Sequence, residues 1–335
     1  MNGAPLPGSV PVASAAPLRA WLVGQWDETE RLAWQQALAQ ACPGVTWLAP
    51  NRGTDDVDVA VVANPPPGAL RGLRGLRLIQ SLWAGVDRLL GDPTLPADVP
   101  VARMVDPLMT RAMAETAAWA TLALHRGFPH YAQQQARAQW QQLEQRRAQD
   151  IGVLVLGMGE MGRSVAQALV GLGYRVSGWS SRPPQDWAET ADTADAAVQR
   201  LWGRQALQPA LAQAQVVLNL LPLTPATRGI IDADFLAALP RGASLVNLAR
   251  GAHVVDAELL AALDSGHLAH AVLDVFHIEP LPPAHPFWRH PGVTVLPHVA
   301  ALTDRRSAAS VVADNLTRLA RGQAVRHLVD RSRGY

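Results

Sequence analysis

Three apolar, strand-like runs in the C-terminal half each end on polar groups. They are NLARG, closing on Arg250, LDVFHIEPLP, carrying Asp274 and Glu279, and VLPHVA, carrying His298. Side chains that follow buried runs emerge at the carboxyl edge of a parallel sheet, where such folds take their ligands. An arginine, a carboxylate and a histidine together suit the reduction of a 2-keto acid. The guanidinium can bind the substrate carboxylate and polarise the keto oxygen. The imidazolium can give that oxygen its proton as hydride reaches the carbon. An acid beside the histidine favours the charged ring and raises its pKa, which is the sign the reductive direction needs. Singly, Arg250 reads as a surface ion-pair residue, Glu279 as a loop acid and His298 as a satisfied structural histidine. Their occurrence in order, each at a strand end, favours catalysis over those blander readings.

Hydride chemistry needs a donor, and the stretch VLVLGMGEMGRSVAQALVGLGYRVSGWSSRP (153–183) offers a place for one. Gly157, Gly159 and Gly162 make G-x-G-x-x-G directly after VLVL and directly before a helical pattern. Alone the pattern is weak, but here the three glycines have distinct roles. They allow a tight turn, close approach to a pyrophosphate, and close helix–strand packing. Free amides at the helix start favour phosphate. The intervening Met158, Glu160 and Met161 are expected to border the cofactor as well, as is Ala249 beside Arg250. Enzymes using NAD carry an acid about 20 residues after the first glycine for the ribose hydroxyls. Here positions 177–183 hold no acid and instead show Ser180, Ser181 and Arg182. Serine hydroxyls can donate to phosphate oxygens, and the arginine fork matches a 2′-phosphate. The expected cofactor is therefore NADP(H), with NAD(H) possible; a solvent-exposed arginine of no consequence is the bland alternative.

His277, His285 and His290 with Glu279 raise the question of a metal. No two of these histidines show the i, i+4 helical spacing of zinc enzymes, and prolines interrupt the segment, so no metal site is expected.

The elements that must position these groups follow from the apolar pattern. RAWLVGQW, DVDVAVVAN and LRLIQSLW read as strands and ETERLAWQQALAQA as a helix, within residues 18–105. From Asp106 to Gln149 the pattern is helical, and Pro129 divides it into two helices. From Ile151 the alternation restarts with GVLVLG, RVSGW, AQVVLNLLP, ASLVNLA, HAVLDVF and VTVLPH, enough strands for a complete doubly wound sheet. RSAASVVADNLTRLARGQ follows as a last amphipathic helix. The expected fold is α/β, with two doubly wound parallel-sheet domains: a Rossmann cofactor domain over 106–299 inserted into a flavodoxin-like substrate domain over 18–105 and 300–335. Its final helix then packs on the N-terminal domain. Residues 1–17 read as a flexible extension rather than a signal peptide.

The 335 residues suit about two domains, and a net charge of +1 with 49% apolar residues suggests no nucleic-acid partner. One cysteine, Cys42, fits a reducing compartment, here the cytoplasm. No apolar run approaches the roughly 20 residues a membrane span needs.

The ordered motifs SLWAGVD (81–87), the glycine loop, NLLPLTPATRGII, LVNLARGAHVVDAELLAALDSG, AVLDVFHIEPLPPAHPFWRHPGVTVLPHVA and the final VDRSRGY carry a resemblance. Across nearly the whole chain after about Leu18, the sequence resembles the D-2-hydroxyacid dehydrogenase family, particularly its glyoxylate/hydroxypyruvate reductase A branch. The resemblance implies that His298 is the general acid/base held by Glu279, and that Arg250 binds substrate. It implies that backbone amides of the Trp83-Ala84-Gly85-Val86 loop bind the substrate carboxylate, and that Asp274 contacts the nicotinamide carboxamide. Leu221, Pro222 and Thr227 fall on its cofactor-contact loop, and the helical stretch 107–149 falls where a homodimer forms. Family members often have a small residue at the position of Trp83. The ring either narrows the pocket toward glyoxylate and hydroxypyruvate or packs in the N-terminal core.

Two other functions stay open. A formate or 3-phosphoglycerate dehydrogenase is the nearer; the Glu279–His298 pairing disfavours the first, and Arg103 and Arg111 leave the second possible. A dinucleotide-sensing binding protein is the other, disfavoured by retention of Arg250, Glu279 and His298.

Overall fold

The computed structural model describes residues 16–49, 56–183 and 197–335; most of the 1–17 extension lies outside them. The chain divides into two compact units. One takes the described residues up to Trp83, Asp92–Met104 and Arg305–Val329; the other takes Ala84–Gly91, Val105–Asp304 and Asp330–Tyr335. Residues 84–91 and 330–335, expected with the N-terminal domain, thus group with the second unit.

The first unit is built on a parallel sheet of β1 (Arg19–Gly24), β2 (Thr46–Trp47), β3 (Val59–Ala63), β4 (Leu78–Ser81) and β5 (Val101–Ala102). Its order, β2-β1-β3-β4-β5, is the flavodoxin-like one. Every residue of β3 and β4 is buried, as expected of parallel strands covered on both faces. Helix α1 (Glu28–Ala41) starts where Asp27 accepts a hydrogen bond from the Glu30 amide. It packs against the last helix of the chain, α9 (Arg305–Ala320). That helix is pinned to the sheet by buried Asn315, whose Nδ2 donates to Gln80 Oε1 on β4 at 2.7 Å.

The second unit carries seven parallel strands: β6 (Gly152–Leu156), β7 (Arg175–Ser180), β8 (Gln199–Trp202), β9 (Val216–Asn219), β10 (Ala243–Asn247), β11 (Leu268–Leu273) and β12 (Val293–Val295). Their order, β12-β11-β10-β9-β6-β7-β8, has the Rossmann arrangement with one further strand on the β11 edge. Alternate residues feed opposite faces. Val153 and Val155 pack with Met113, Ala117 and Ala120 of α3 (Pro107–His125) and with Val165 and Leu169 of α5 (Glu160–Gly171). Leu154 and Leu156 pack instead with Leu211 of α6 (Arg204–Leu211), Phe235 and Leu236 of α7 (Ala233–Ala237), and Leu259 and Leu263 of α8 (Asp256–Asp264).

The 106–149 stretch departs from expectation at its end. Helix α3 is followed by α4 (Phe128–Ala136), with Pro129 in its first turn rather than its interior. Residues 137–147 leave the helix at Ala138, whose φ is +52°. Side chains of α4 then take up the departing backbone: Gln134 Oε1 accepts from the Gln141 amide and Tyr131 Oη from the Leu143 amide. Trp119 and Trp140 are exposed, by 47% and 97%.

Candidate active site

The glycine loop connects β6 to α5, and its conformation requires its glycines. Gly157 has φ +94°, and a Cβ there would meet the Leu220 carbonyl oxygen at 2.7 Å. A Cβ on Gly162 would lie 1.9 Å from the Gly157 carbonyl oxygen, so the helix enters flush against the strand end only without a side chain. A Cβ on Gly159 would meet nothing within 4 Å. Backbone at the start of α5 therefore faces open space, with the positive end of the helix dipole behind it. This cradle fits a dinucleotide pyrophosphate. Met158 is buried, and its sulfur would lie 2.4 Å from a Cβ on Gly178, so β7 needs that glycine to make room for it. Met161 packs against the same core and Glu160 is exposed. Within the loop, then, Met158 and Met161 send their side chains into the core.

Strand β7 ends beside this cradle: Leu156 pairs with Trp179, and the Gly157 amide donates to the Trp179 carbonyl at 2.8 Å. Trp179 is buried, with Nε1 donating to the Gly203 carbonyl. Ser181 and Arg182 are exposed just beyond the strand. Ser180 directs its hydroxyl hydrogen to the Arg182 carbonyl at 2.6 Å.

Two buried asparagines organise the neighbouring loops. Asn219 at the end of β9 donates from Nδ2 to Asn247 Oδ1 at the end of β10, 3.0 Å away. Asn219 Oδ1 accepts from the Leu221 amide, and Asn247 Oδ1 from the Ala249 amide. Asn247 Nδ2 donates to the Arg250 carbonyl. The 221–227 loop is closed by Thr227, whose hydroxyl donates to the Pro222 carbonyl at 2.7 Å and accepts from the Thr224 amide. His253, fully buried, has Nδ1 3.1 Å from the Arg250 carbonyl and Nε2 3.3 Å from the Pro222 carbonyl, and so ties the two loops together. Burial lowers its pKa.

Arg250 leaves the end of β10 with Nε donating to Asp87 Oδ1 at 3.0 Å and Nη1 to the Ala249 carbonyl at 2.7 Å. Asp87 opens the one-turn helix α2 (Asp87–Leu90), directly after the Ala84–Val86 loop. The next residue along from the arginine, Gly251, is needed for close approach: a Cβ there would fall 2.0 Å from the Phe276 carbonyl carbon. The chain after β11 therefore lies against the arginine's own turn.

That chain carries Glu279. Its Oε1 accepts from the Phe276 amide at 2.9 Å, and its Oε2 lies 2.7 Å from His298 Nδ1. Burial pushes the Glu279 carboxyl upward, but hydrogen bonds from His298 and the Phe276 amide outweigh it, and the group rests below its usual value. The hydrogen bond from Glu279 raises the His298 pKa, against desolvation and the opposing charge of Arg250. His298 has φ +55°, a left-handed conformation that costs a non-glycine residue about 1–3 kcal/mol. Asp274, 1% exposed, supports it. The Asp274 carbonyl accepts from the His298 amide, while Oδ1 and Oδ2 accept from the amides of Val299 and Ala300 at 2.7 and 3.1 Å.

The second unit thus brings Arg250, Glu279, His298 and Asp274 to one edge, together with the Ala84–Val86 loop. Trp83 belongs to the first unit. Its half-buried ring meets that of buried Trp34 edge-on, centroids 6.1 Å apart. Elsewhere, Asp256 lies 3.5 Å from both His277 and His285, and His290 pairs with Asp264. Among the described residues no three His, Cys, Asp or Glu side chains are placed to hold a metal ion. No described helix is long and apolar enough to cross a membrane.

A doubly wound sheet with a glycine-rich cradle, an arginine and a carboxylate-paired histidine at its carboxyl edge defines a dinucleotide-dependent dehydrogenase. Residues 118–300 match the model of the D-isomer specific 2-hydroxyacid dehydrogenase NAD-binding domain, and the chain belongs to that family. Solved relatives span almost the whole chain. A D-isomer specific 2-hydroxyacid dehydrogenase from Xanthobacter autotrophicus, in complex with NADPH and MES, is 36% identical over 96% of this chain and 100% of its own, with a TM-score of 0.87. The NADPH-dependent glyoxylate/hydroxypyruvate reductase of Sinorhizobium meliloti, in complex with NADP and sulfate, is 33% identical over 95% of this chain and 100% of its own, with a TM-score of 0.86. A family protein from Klebsiella pneumoniae is 37% identical over 95% and 99% of the two chains, with a TM-score of 0.84.

Proposed function

We propose that this 2-hydroxyacid dehydrogenase reduces small 2-keto acids, glyoxylate and hydroxypyruvate foremost, to glycolate and D-glycerate, with a preference for NADPH. The observation that carries the reading is the 2.7 Å contact of His298 Nδ1 with Glu279 Oε2 beside the Arg250 turn. When bound, the reduced nicotinamide supplies the hydride. The chain supplies the rest. Residues 157–162 and the start of α5 hold the pyrophosphate, and Ser181 and Arg182 face the adenine ribose, where the lack of an acid removes repulsion of a 2′-phosphate. With Nδ1–H donated to Glu279, the imidazolium has Nε2–H to give to the keto oxygen, and the neutral ring left behind keeps its orientation. Arg250 and the backbone of Ala84–Val86 bind the substrate carboxylate. Arg250 also polarises the keto group. Relatives crystallised with NADPH or NADP, one of them named a glyoxylate/hydroxypyruvate reductase, support the cofactor and substrate assignments.

The exposed apolar side chains Leu108, Trp119 and Leu122, on one face of α3, support a homodimer; sedimentation equilibrium at micromolar concentration tests it. The catalytic reading is tested by kcat/KM for glyoxylate, hydroxypyruvate and pyruvate with each cofactor. Highest values for the first two with NADPH are expected. Absence of turnover across the panel refutes the proposal.

A further inference from the structure

We propose that Asp87 is a positioning residue for Arg250, holding the guanidinium in the orientation in which it meets the substrate anion; the proposal rests on the catalytic reading above. Asp87 and Arg250 lie 163 positions apart in sequence, yet Nε and Oδ1 are 3.0 Å apart, with side chains 32% (Arg250) and 20% (Asp87) exposed. Two of the fork's donors are thereby committed, Nε to Asp87 and Nη1 to the Ala249 carbonyl. Nη2 fills the place of the side chain Gly85 lacks: a Cβ there would sit 1.4 Å from Nη2 and 2.7 Å from Cζ. The guanidinium is thus held on its Nε edge by the hydrogen bond to Asp87, with its Nη2 corner in the space left by a glycine, directly against the loop expected to bind the carboxylate.

Asp87 is the first residue of helix α2, after the Val86 cap, and its carboxylate reaches across to the arginine rather than to the helix's own backbone. An arginine held by a carboxylate at Nε and by a carbonyl at Nη1 loses little rotamer freedom when substrate arrives, because its orientation is already set. Loss of the aspartate frees the side chain to swing, and a displacement of about 1 Å at a catalytic group can cost about 100-fold.

A double-mutant cycle in the full-length enzyme tests this, with glyoxylate and NADPH at high enzyme concentration. Asp87→Ala is expected to lower kcat/KM for glyoxylate about 10–100-fold while the KM for NADPH changes less than about twofold. In an Arg250→Ala background the same change is expected to cost less than about twofold, because its target is gone. Asp87→Asn, which keeps an Oδ1 acceptor for Nε–H, is expected to recover most of the loss. Equal losses from Asp87→Ala in both backgrounds overturn the proposal and leave the catalytic reading standing; a wild-type enzyme without keto-acid turnover overturns both.

Discussion

His298 and Glu279 are joined side chain to side chain, Nδ1 to Oε2 at 2.7 Å, with the second carboxylate oxygen fastened to the Phe276 amide. The consequence is a sign. The pair raises the histidine pKa above its ordinary value and lowers that of the glutamate, and so favours imidazolium facing carboxylate. Keto-acid reduction needs the charged ring and should fall as pH rises through the raised pKa; hydroxy-acid oxidation needs the neutral ring and should rise over the same window. Glu279→Gln removes the raising contribution. The reductive limb of the kcat/KM profile should then move to lower pH, and an unmoved limb would mean that the glutamate does not set the histidine's charge.

Arg182 stands exposed at the end of β7, next to the glycine cradle, with Ser180 turned back onto its carbonyl. Arg182→Ala is expected to raise the KM for NADPH by about tenfold, the loss of one charge-assisted contact, and to leave that for NADH nearly unchanged. Parallel titrations with the two cofactors decide the matter, since equal effects would make the arginine irrelevant to the 2′-phosphate.

Gly162 has its missing side chain pressed against the Gly157 carbonyl. Gly162→Ala forces α5 away from the strand end, against backbone that cannot yield as a flexible side chain does. Cofactor affinity should fall by about 10-fold or more, and thermal stability should fall with it. Gly159→Ala, whose added methyl meets only open space, should retain the melting temperature of the free protein and lose affinity alone. Differential scanning fluorimetry with and without NADP separates the two outcomes.

The sheet strands and the polar residues at their ends were legible because each is a local pattern, an apolar run closed by one polar group, as in NLARG and VLPH. The strands that escaped were short or polar: β2 and β5 have two residues each, and β8 is QRLW. Residues 137–147 carry good helix formers, yet side chains of α4 capture their backbone amides, a tertiary preference that propensity does not contain. Asp87 was invisible as a partner of Arg250 because nothing local joins positions 163 apart. The Asn219–Asn247 pair did leave a trace, since both VVLN and SLVN close on asparagine. Beside the carboxamide contact that the resemblance implies for Asp274, both its carboxylate oxygens hold the backbone after His298, a role set by a left-handed turn that sequence does not display.

In the proposed mechanism the His298 ring delivers the proton to the keto oxygen. The most direct measurement is single-turnover oxidation of bound NADPH by His298→Ala with saturating glyoxylate, alongside the dissociation constant for NADPH. A fall in rate of about 10²–10⁴-fold with cofactor affinity unchanged is expected. An unchanged rate, or a collapse of cofactor affinity with the loss, would contradict it.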